Sequence, residues 1–310
     1  MNMPDTCNAC GGTLHPLMPQ VPDPITGERF AIATCSRCEL GHTLPQPQDL
    51  AHYYSAQYYG KRHGATGGYC TVRRLRLVRR VLPGNPGRLL DIGCGDGSFL
   101  AAARAAGWQV AGTELNPVPA RAAGFDVREA VEEYGGAAQF DCITMWHTLE
   151  HMRDIPSMLS QVARLLKPKG RLIVAVPDFG GGQARLFGPA WLHADVPRHL
   201  YHFNRKALEY SLAVAGLTPY TWRHLEFEYD LLGWSQSALN RLQKKPNLFF
   251  YLLTGKRCDA GRTSRFFAMA AGTFLTFLSL PALVVSTMLG RGGTLIVVAG
   301  RAQSPQEQTK

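Results

Sequence analysis

The chain has 310 residues, and 45% of them are hydrophobic, so it is long enough for one α/β domain with a smaller appendage and it is not a disordered protein. Its formal net charge of +10 leaves a nucleic-acid or an anionic-lipid partner open. The first residues lack the charged segment and apolar core of a signal peptide, so the eight cysteines indicate reduced thiols or metal ligands rather than disulfides. We therefore expect a cytoplasmic protein.

Two close cysteine pairs lie near the N-terminus. They read Cys7-x-x-Cys10 and Cys35-x-x-Cys38, and each turn of this kind places two thiolates on one side of a knuckle. Two knuckles complete a tetrahedral set of four sulfur ligands for zinc, and a closed site of this kind is structural rather than catalytic. The spacing therefore predicts a small zinc-ribbon module over residues 1–45, whose folding the metal would support.

From residue 88 onwards, short apolar runs alternate with helical stretches. This alternation is typical of a parallel sheet with helices on both faces, in which ligands bind outside the carboxyl ends of the strands. The predicted strands cover residues 88–92, 109–113, 125–128, 140–144, 170–176, 218–228 and 294–299.

A glycine-rich turn follows the first of these strands. Residues 91–97 read D-I-G-C-G-D-G, directly before the helix-forming stretch 99–106. Glycines at such a turn let the backbone pass close to a bound ligand. Glu114 closes the second strand, where a rigid carboxylate can accept both hydroxyls of a ribose. Dinucleotide-binding enzymes use both devices, so these two features alone leave the family open.

Two later motifs decide between the families. Residues 140–151 read F-D-C-I-T-M-W-H-T-L-E-H, and residues 166–177 read L-K-P-K-G-R-L-I-V-A-V-P. With the glycine-rich turn and Glu114 before them, these ordered motifs resemble class I S-adenosylmethionine (SAM) dependent methyltransferases, in particular the group that includes the ubiquinone-biosynthesis O-methyltransferases. The resemblance covers roughly residues 69–230 and returns at 294–299. It implies a Rossmann-like α/β fold with a seven-stranded sheet, and SAM as the cofactor.

The resemblance also implies where the cofactor is held. In this family an acidic residue after the third strand usually meets the adenine amino group, but the matching position here is Ala130, so Glu129 or Glu132 would have to substitute. The cofactor-binding residues that we expect are Asp91, Gly93, Cys94, Gly95, Gly97, Glu114, Val131 and Trp146.

A first histidine-rich stretch lies after the fourth strand, at the expected edge of the active site. His147, Glu150 and His151 are candidate bases or ligands of a divalent metal. In the ubiquinone relatives the position that matches His147 is often Glu. The alternative interpretation is that Glu150 and His151 cap and orient the following helix.

A second histidine-rich stretch, residues 187–203, follows the fifth strand. Its polar groups stand beside aromatic residues, which is unusual for a loop without a function. His199 is our first choice for the general base that takes a proton from a hydroxyl acceptor, with Asp195 or Arg198 orienting it or the substrate. The alternative is a hydrogen-bonded cluster that only closes the loop.

The stretch 266–290 contains no charged residue and is long enough to count as a transmembrane candidate. Because the last strand must return to the same sheet, both ends of this insertion stay on one side, and a break at Pro281 predicts two short helices that dip into one leaflet as a hairpin. Lys and Arg residues on both sides suit anionic headgroups. A homodimer interface, or a lid over a lipid-like substrate, are the alternatives.

We interpret the chain as a SAM-dependent methyltransferase that acts on a hydroxyl of a small or lipid-linked acceptor, with peripheral contact at the inner face of the membrane through residues 266–290. The first alternative is an RNA methyltransferase in which the zinc ribbon and the basic stretch 73–80 bind phosphates, although nucleic acid is the less favoured partner. The second alternative is a non-catalytic SAM-binding scaffold.

The expected domains are the zinc ribbon over 1–45, the SAM-binding core over 46–232, an apolar helical insertion over 233–291, and the final strand with a polar tail over 292–310.

Overall fold

The computed structural model describes residues 6–54, 67–243, 245–256 and 258–302. The strands are β1 (Leu14–Pro22), β2 (Arg29–Cys35), β3 (Gly41–Leu44), β4 (Arg88–Ile92), β5 (Gln109–Thr113), β6 (Asp126–Arg128), β7 (Phe140–Trp146), β8 (Leu166–Pro177), β9 (Tyr201–His202), β10 (Leu217–Arg223) and β11 (Thr294–Arg301). The helices are α1 (Gly67–Val81), α2 (Ser98–Ala105), α3 (Val118–Ala122), α4 (Ile155–Leu165), α5 (Gly182–Phe187), α6 (Arg205–Val214), α7 (Phe227–Leu242), α8 (Leu248–Thr254), α9 (Arg262–Leu278) and α10 (Leu280–Met288).

The chain divides into two compact units, each assembled from separated segments. The cysteine unit comprises Met1–Gly67, Pro177–Ala207 and Arg223–Leu295. The sheet unit comprises Gly68–Val176, Leu208–Trp222 and Ile296–Lys310. The expected domain boundaries after residues 45, 232 and 291 follow the linear order of the motifs, whereas these units gather segments that are far apart in the chain.

The seven-stranded sheet has the order β10-β11-β8-β7-β4-β5-β6, which confirms the predicted α/β fold. The pairs β4–β5, β4–β7, β5–β6 and β7–β8 are parallel. Successive strands lead away from β4 in one direction through β5 and in the other through β7, so the strand order reverses at β4. In open sheets of this kind the ligand crevice lies at such a reversal, outside the carboxyl ends of the strands.

Apolar residues on both faces hold this sheet. β4 reads R-L-L-D-I, and its last four residues are buried, as expected for a central strand of a parallel sheet. Phe99 and Leu100 of α2 pack in the same core cluster as Leu89 and Trp108. α4 begins at a side-chain cap, because the Asp154 carboxylate accepts a hydrogen bond from the Ser157 backbone N–H.

The strand ends differ from the sequence prediction by more than two residues at two places. β8 begins at Leu166, four residues before the predicted strand. β10 ends at Arg223 instead of at residue 228, because α7 begins at Phe227. Glu228 in the first turn of α7 favours a helix start there through the positive end of the helix dipole.

The cysteine unit contains a four-stranded sheet with the order β1-β2-β3-β9, and all three strand pairs are antiparallel. β9 comes from the histidine-rich stretch 187–203, so the N-terminal module and this stretch share one sheet. Its core includes Phe30, Ile32, Trp191 and Trp234.

α9 and α10 form a bent pair, with an angle of 43° between them. The break falls at Ser279, and Pro281 lies in the first turn of α10, where the missing N–H costs nothing. The bend is too small to turn the chain back, so the predicted hairpin does not form. Among the described residues no single helix meets the length and hydropathy test for a bilayer span, whereas this bent pair meets it when both helices are counted together.

Candidate functional site

The glycine-rich turn lies at the carboxyl end of β4, where the strand order reverses. Gly93, Gly95 and Gly97 adopt positive φ values of 76°, 58° and 83°. A Cβ on Gly93 would overlap the side chain of Thr148, and one on Gly97 would lie 2.9 Å from the ring of Phe125. Both the backbone conformation and the lack of space therefore require glycine here.

Glu114 lies across this turn, directly after β5. Its Oε2 accepts a hydrogen bond of 2.8 Å from the Gly95 backbone N–H, and its Oε1 accepts one of 2.9 Å from the backbone of Leu115. The carboxylate is half-buried and is oriented by two N–H donors, each of which uses one of its lone pairs. The remaining lone pairs are free to accept two further donors, so the arrangement fits a ribose with two hydroxyls.

The base of the turn is fixed by a buried hydrogen bond. Asp91 is only 3% exposed, and its Oδ1 accepts a hydrogen bond of 2.6 Å from the hydroxyl of Thr144 on the neighbouring strand β7. Cys94 is buried beside Gly112, and this burial raises the pKa of its thiol. Cys94 therefore shapes the turn as a neutral thiol.

Two of the expected cofactor residues are buried side chains. Trp146 packs edge-on against Phe99 at 6.0 Å and lies under the guanidinium of Arg74 at 4.9 Å, inside the core cluster. Val131 is 1% exposed. Only the backbone of either residue is therefore available to a ligand.

The loop after β6 is closed by a residue that the sequence interpretation did not consider. Glu133 Oε1 accepts hydrogen bonds from the backbones of Glu129 and Ala130, at 3.0 and 2.9 Å. Glu129 itself is exposed and lies 3.8 Å from Arg121. Glu132 is exposed as well. That Glu129 or Glu132 contacts adenine stays a prediction.

The first histidine-rich stretch leaves β7 through a strained residue. His147 has a φ of +52°, a left-handed conformation that is costly for a side chain of this size and is commonest at functional sites. Its Nδ1 lies 3.6 Å from Oε1 of Glu150, and both side chains are buried. His151 is half-buried, and its backbone N–H donates to the carbonyl of Thr148 at 3.1 Å. The structure thus brings His147 and Glu150 together as an acid–base pair.

The second stretch belongs to the cysteine unit, and the structure brings its three predicted residues together. Nδ1 of His199 lies 2.9 Å from the carbonyl oxygen of His193, and Nε2 lies 4.0 Å from Oδ2 of Asp195. Burial raises the pKa of Asp195, but the charges of Arg198 and His199 outweigh this effect and hold that pKa below its ordinary value.

Arg198 is fully buried between two carboxylates. Its guanidinium donates to Oδ1 of Asp23 at 2.6 Å and to Oδ1 of Asp195 at 2.7 and 2.9 Å. A further hydrogen bond reaches the carbonyl oxygen of Tyr53 at 3.3 Å. These contacts hold Asp195 in place, whereas the expected role of Arg198 in orienting His199 or the substrate stays a prediction.

The four predicted zinc ligands form one cluster. Sγ of Cys7 lies 3.6 Å from that of Cys38, Sγ of Cys10 lies 3.3 Å from that of Cys35, and all four sulfur atoms lie within 4.8 Å of one another. Sulfur atoms around a tetrahedral zinc lie about 3.8 Å apart, given a Zn–S distance of about 2.3 Å. The donor set therefore fits a structural zinc ion, which would be held by these four residues.

The cysteine cluster is tied to the strand that carries the second histidine-rich stretch. Nε2 of His42 lies 3.2 Å from Sγ of Cys7, and the ring of His42 packs edge-on against Tyr201 of β9. The hydroxyl of Thr43 donates to the carbonyl of His199 at 2.6 Å. No local sequence pattern predicts this link, because more than 150 residues separate its partners.

The comparisons with known proteins agree with this geometry. A family model described as a methyltransferase domain matches residues 65–221, about half of the chain. The matched region contains the glycine-rich turn, Glu114 and both histidine-rich stretches. The chain belongs to this methyltransferase family.

Several relatives of this methyltransferase carry named activities. It is 30% identical over 199 residues to the ubiquinone biosynthesis O-methyltransferase of Salmonella paratyphi A, covering 60% of this chain and 72% of that one. It is 26% identical over 179 residues to the enzyme of the same name from Klebsiella pneumoniae, covering 54% of this chain and 67% of that one. Over 185 residues it is 32% identical to a 27-O-demethylrifamycin SV methyltransferase of Amycolatopsis mediterranei, covering 50% of this chain and 66% of that one. Other matches cover as little as 39% of the curated relative.

A solved structure supports the fold of the methyltransferase. Phosphoethanolamine N-methyltransferase 2 of Haemonchus contortus, solved in complex with phosphomonomethylethanolamine and S-adenosylhomocysteine, matches with a TM-score of 0.53 at 15% identity, over 94% of this chain and 70% of that one. The complex of the same protein with S-adenosyl-L-methionine matches with a TM-score of 0.50 at 19% identity, over 75% and 53%.

Two buried carboxyl groups of the cysteine unit were not among the predicted site residues. Asp178 directly follows β8, and burial raises its pKa to about 7. Burial also raises the pKa of Asp230 to about 8, although the Thr294 hydroxyl and the Gly293 backbone donate to its carboxyl group at 2.6 and 3.1 Å. The position of Asp178 at the carboxyl end of a strand was the signal that could have singled it out.

Proposed function

We propose that the protein transfers a methyl group from SAM to a hydroxyl of a small or lipid-linked acceptor, and that a structural zinc ion holds its four-cysteine cluster. The observation that carries the SAM-binding part of this proposal is the Glu114 carboxylate, which accepts a hydrogen bond from the Gly95 backbone N–H across the glycine-rich turn. The names of the relatives from Salmonella, Klebsiella and Amycolatopsis support transfer to oxygen.

The residues that would hold the cofactor all lie in the sheet unit. Glu114 accepts the ribose hydroxyls, and the backbone of Gly93 and Gly95 leaves room for the ligand to approach the end of β4. The Asp91–Thr144 hydrogen bond keeps this end of the strand rigid, so little order has to be gained on binding. When bound, SAM supplies a methyl group activated by its sulfonium centre.

Two histidines are the candidate bases for the acceptor hydroxyl. His199 is the first candidate, because its Nδ1 lies 2.9 Å from the carbonyl oxygen of His193 and its Nε2 lies 4.0 Å from Oδ2 of Asp195, so both neighbours orient the imidazole ring. His147 in the sheet unit has the same type of partner in Glu150. A hydroxyl acceptor needs one such base, since its own pKa is far above neutral.

One observation speaks against the RNA alternative. Arg74, in the middle of the basic stretch 73–80, is buried against Trp146 and makes a cation–π contact instead of facing a ligand. Arg76, Arg79 and Arg80 remain exposed. The helix thus offers fewer cations to phosphates than its sequence indicates.

The test supplies the full-length protein with methyl-labelled SAM and three acceptor pools: a bacterial lipid extract, a water-soluble metabolite extract and total RNA. We expect label in the lipid or metabolite pool, with mass spectra of the products showing a new methyl ether. His199→Gln should lower the rate by about 10²- to 10⁴-fold, the usual contribution of a general base. The matched control is His15→Gln, because His15 is exposed on β1 and should leave the rate unchanged.

Three results would contradict parts of the proposal. If the methyl label enters only RNA, and if the affinity of the protein for RNA falls steeply as salt is added, the acceptor is RNA and not a small or lipid-linked molecule. An unchanged rate in His199→Gln together with a large loss in His147→Gln would move the base to the sheet unit. Binding of SAM without transfer to any pool would favour the scaffold alternative.

A further inference from the structure

α9 presents its large apolar side chains to the outside. It packs on the cysteine unit through small residues: Ala268 and Gly272 are buried, and a Cβ on Gly272 would overlap the ring of Phe249 in α8. The exposed residues on the opposite side of the helix include Phe266 (76% exposed), Phe274 (66%) and Phe277 (69%). An ordinary surface helix turns its large apolar residues inward and its charges outward, so this helix is inverted.

α10 continues the same surface beyond the bend. Its buried residues are Leu283 and Ser286, whereas Val284, Val285 and Met288 are 55%, 55% and 81% exposed. Positions 284, 285 and 288 lie on one side of a helix, away from 283 and 286. We call the outward sides of α9 and α10 together the α9–α10 surface. Its size and continuity exceed what scattered apolar residues on a monomer surface explain.

The charged residues within the segment 261–293, which carries this surface, are all positive. Residues 261–293 contain no Asp or Glu, and their only charged residues are Arg262, Arg265 and Arg291, all exposed. Arg262 and Arg265 lie in the first turn of α9, and Arg291 follows α10. Arg265 also lines, together with Lys256, a shallow cavity of about 320 Å³ at the start of α9. An apolar surface with cations at both ends matches the acyl chains and the anionic headgroups of a lipid leaflet.

We propose that the α9–α10 surface binds the interface of a bilayer that contains anionic phospholipids. The helices lie in the plane of the leaflet and do not cross it, because Ala268, Gly272 and Leu283 keep their inner sides packed on the protein. The exposed Phe and Val side chains enter the acyl region, and the three arginines meet the headgroups. This inference uses no part of the proposed cofactor or acceptor chemistry.

A second copy of the chain fits this surface less well. In a symmetric dimer the same patch of both copies meets itself, so Arg262, Arg265 and Arg291 of one copy would face the same cations of the other. Each chain carries a net charge of +10, which adds to the repulsion. The negative potential of an anionic leaflet turns these charges into an attraction.

The experiment is co-sedimentation of the full-length protein with vesicles of phosphatidylcholine alone and of phosphatidylcholine with phosphatidylglycerol. We expect binding to the anionic vesicles. The triple variant Phe266→Ser/Phe274→Ser/Phe277→Ser should bind on the order of a hundredfold more weakly, because each exposed ring contributes apolar area to the acyl region. The variant Arg262→Gln/Arg265→Gln/Arg291→Gln should lose roughly a hundredfold on the anionic vesicles alone.

Matched controls separate this surface from apolar exposure in general. Leu17 and Val214 are 54% and 56% exposed elsewhere on the protein, and Leu17→Ser/Val214→Ser should bind vesicles as the unaltered protein does. Circular dichroism spectra and melting temperatures of all variants should match the unaltered protein, since only exposed side chains change. The proposal is overturned if the unaltered protein fails to bind anionic vesicles or if the triple Phe variant binds equally well. It is also overturned if the protein is a dimer that the Phe substitutions dissociate and that binds no vesicle.

Discussion

The two units hold their candidate residues by different means. In the sheet unit, a core of apolar residues supports a short turn, Asp91 is fixed by Thr144 on the adjacent strand β7, and Glu114 is fixed by the backbone of the turn. The cysteine unit also has an apolar core, but buried charged and sulfur-containing groups are added to it, above all the four cysteines and Arg198 between two carboxylates. Apolar packing tolerates small changes, whereas a buried charge that loses its partner is strongly destabilising.

The response to pH should differ between the units as well. In the cysteine unit, burial raises the pKa values of Asp178 and Asp230. In the sheet unit, burial raises the pKa of Asp141, but hydrogen bonds from Lys167 and from the Arg88 backbone outweigh it and lower that pKa. The cysteine unit should therefore be the part that loses stability as the pH rises.

The largest expected effect breaks the cysteine cluster. Removal of the metal with a chelator, or Cys35→Ser, should cost the cysteine unit on the order of 10 kcal/mol, the usual contribution of a structural zinc site. Hydrogen exchange of the full-length protein should then show lost protection in β1–β3 and in β9, because these strands share one sheet. The segment around His199 should loosen with them, whereas β4 and β7 stay protected.

The matched control for this change is Cys258→Ser, since Cys258 is half-buried and lies outside the cluster. It should leave the exchange pattern unchanged. Metal analysis that finds no stoichiometric zinc in the purified protein, or protection of β9 that survives chelation, would contradict the account of this unit.

The next effect concerns the buried charges. Arg198→Met should lower the free energy of unfolding by about 3–5 kcal/mol, because it leaves Asp23 and Asp195 buried without their cation. Arg79→Met is the control, because Arg79 is exposed on α1 and its loss should change stability by less than about 0.5 kcal/mol. Denaturant titrations measure both variants. Equal stability of the two would show that the Arg198 cluster contributes nothing to the fold.

A smaller effect is expected from the carboxyl groups with raised pKa values. Their ordinary value is 3.8, and in the folded protein the values are about 7 for Asp178 and about 8 for Asp230. The stability that comes from the neutral carboxyl groups is fully present below pH 4 and is lost as the pH rises through 7 to 8. The loss is at most roughly 1.4 kcal/mol of unfolding free energy for each unit of pKa shift.

The measurement is the denaturation midpoint of the cysteine unit in the full-length protein at several pH values between about 4 and 8. Asp178→Asn keeps an acceptor for the Gly180 backbone but cannot ionise, so its midpoint should fall less with pH than that of the unaltered protein. The exposed Asp259 offers the control substitution Asp259→Asn. A midpoint that rises with pH in the unaltered protein would show that these groups are charged in the fold.

The two units also differ in how far the sequence predicts them. The turn at residues 91–97, Glu114 and the succession of strands along the chain follow from local patterns, because strand, turn and helix are predicted from neighbouring residues. The partnership of Arg198 with Asp23 joins residues 175 positions apart, and the pairing of β3 with β9 joins residues about 160 apart. No periodicity connects such pairs, so sequence reasoning located His199, Asp195 and Arg198 without finding what fixes them.

Local patterns also do not show which side chains are buried. Trp146 stands at the end of β7, where a cofactor contact is expected, and its ring packs in the core under Arg74, so any such contact would come from its backbone. The inverted packing of α9 was not predicted either, because a run of apolar residues does not show which side of a helix is buried. The close contact of Gly272 with Phe249 shows which side of α9 faces the protein.

The most direct test of the account is calorimetric binding of SAM to the full-length protein and to Glu114→Gln. Glu114 should account for much of the affinity, because a carboxylate that accepts two ribose hydroxyls makes charge-assisted hydrogen bonds that a neutral amide cannot replace. We predict that the unaltered protein binds one SAM and that Glu114→Gln binds it at least about tenfold more weakly, whereas the control Glu209→Gln, an exposed position on α6, does not change the affinity. No binding by the unaltered protein, or equal affinity in Glu114→Gln, would contradict the assignment of this turn as the cofactor site.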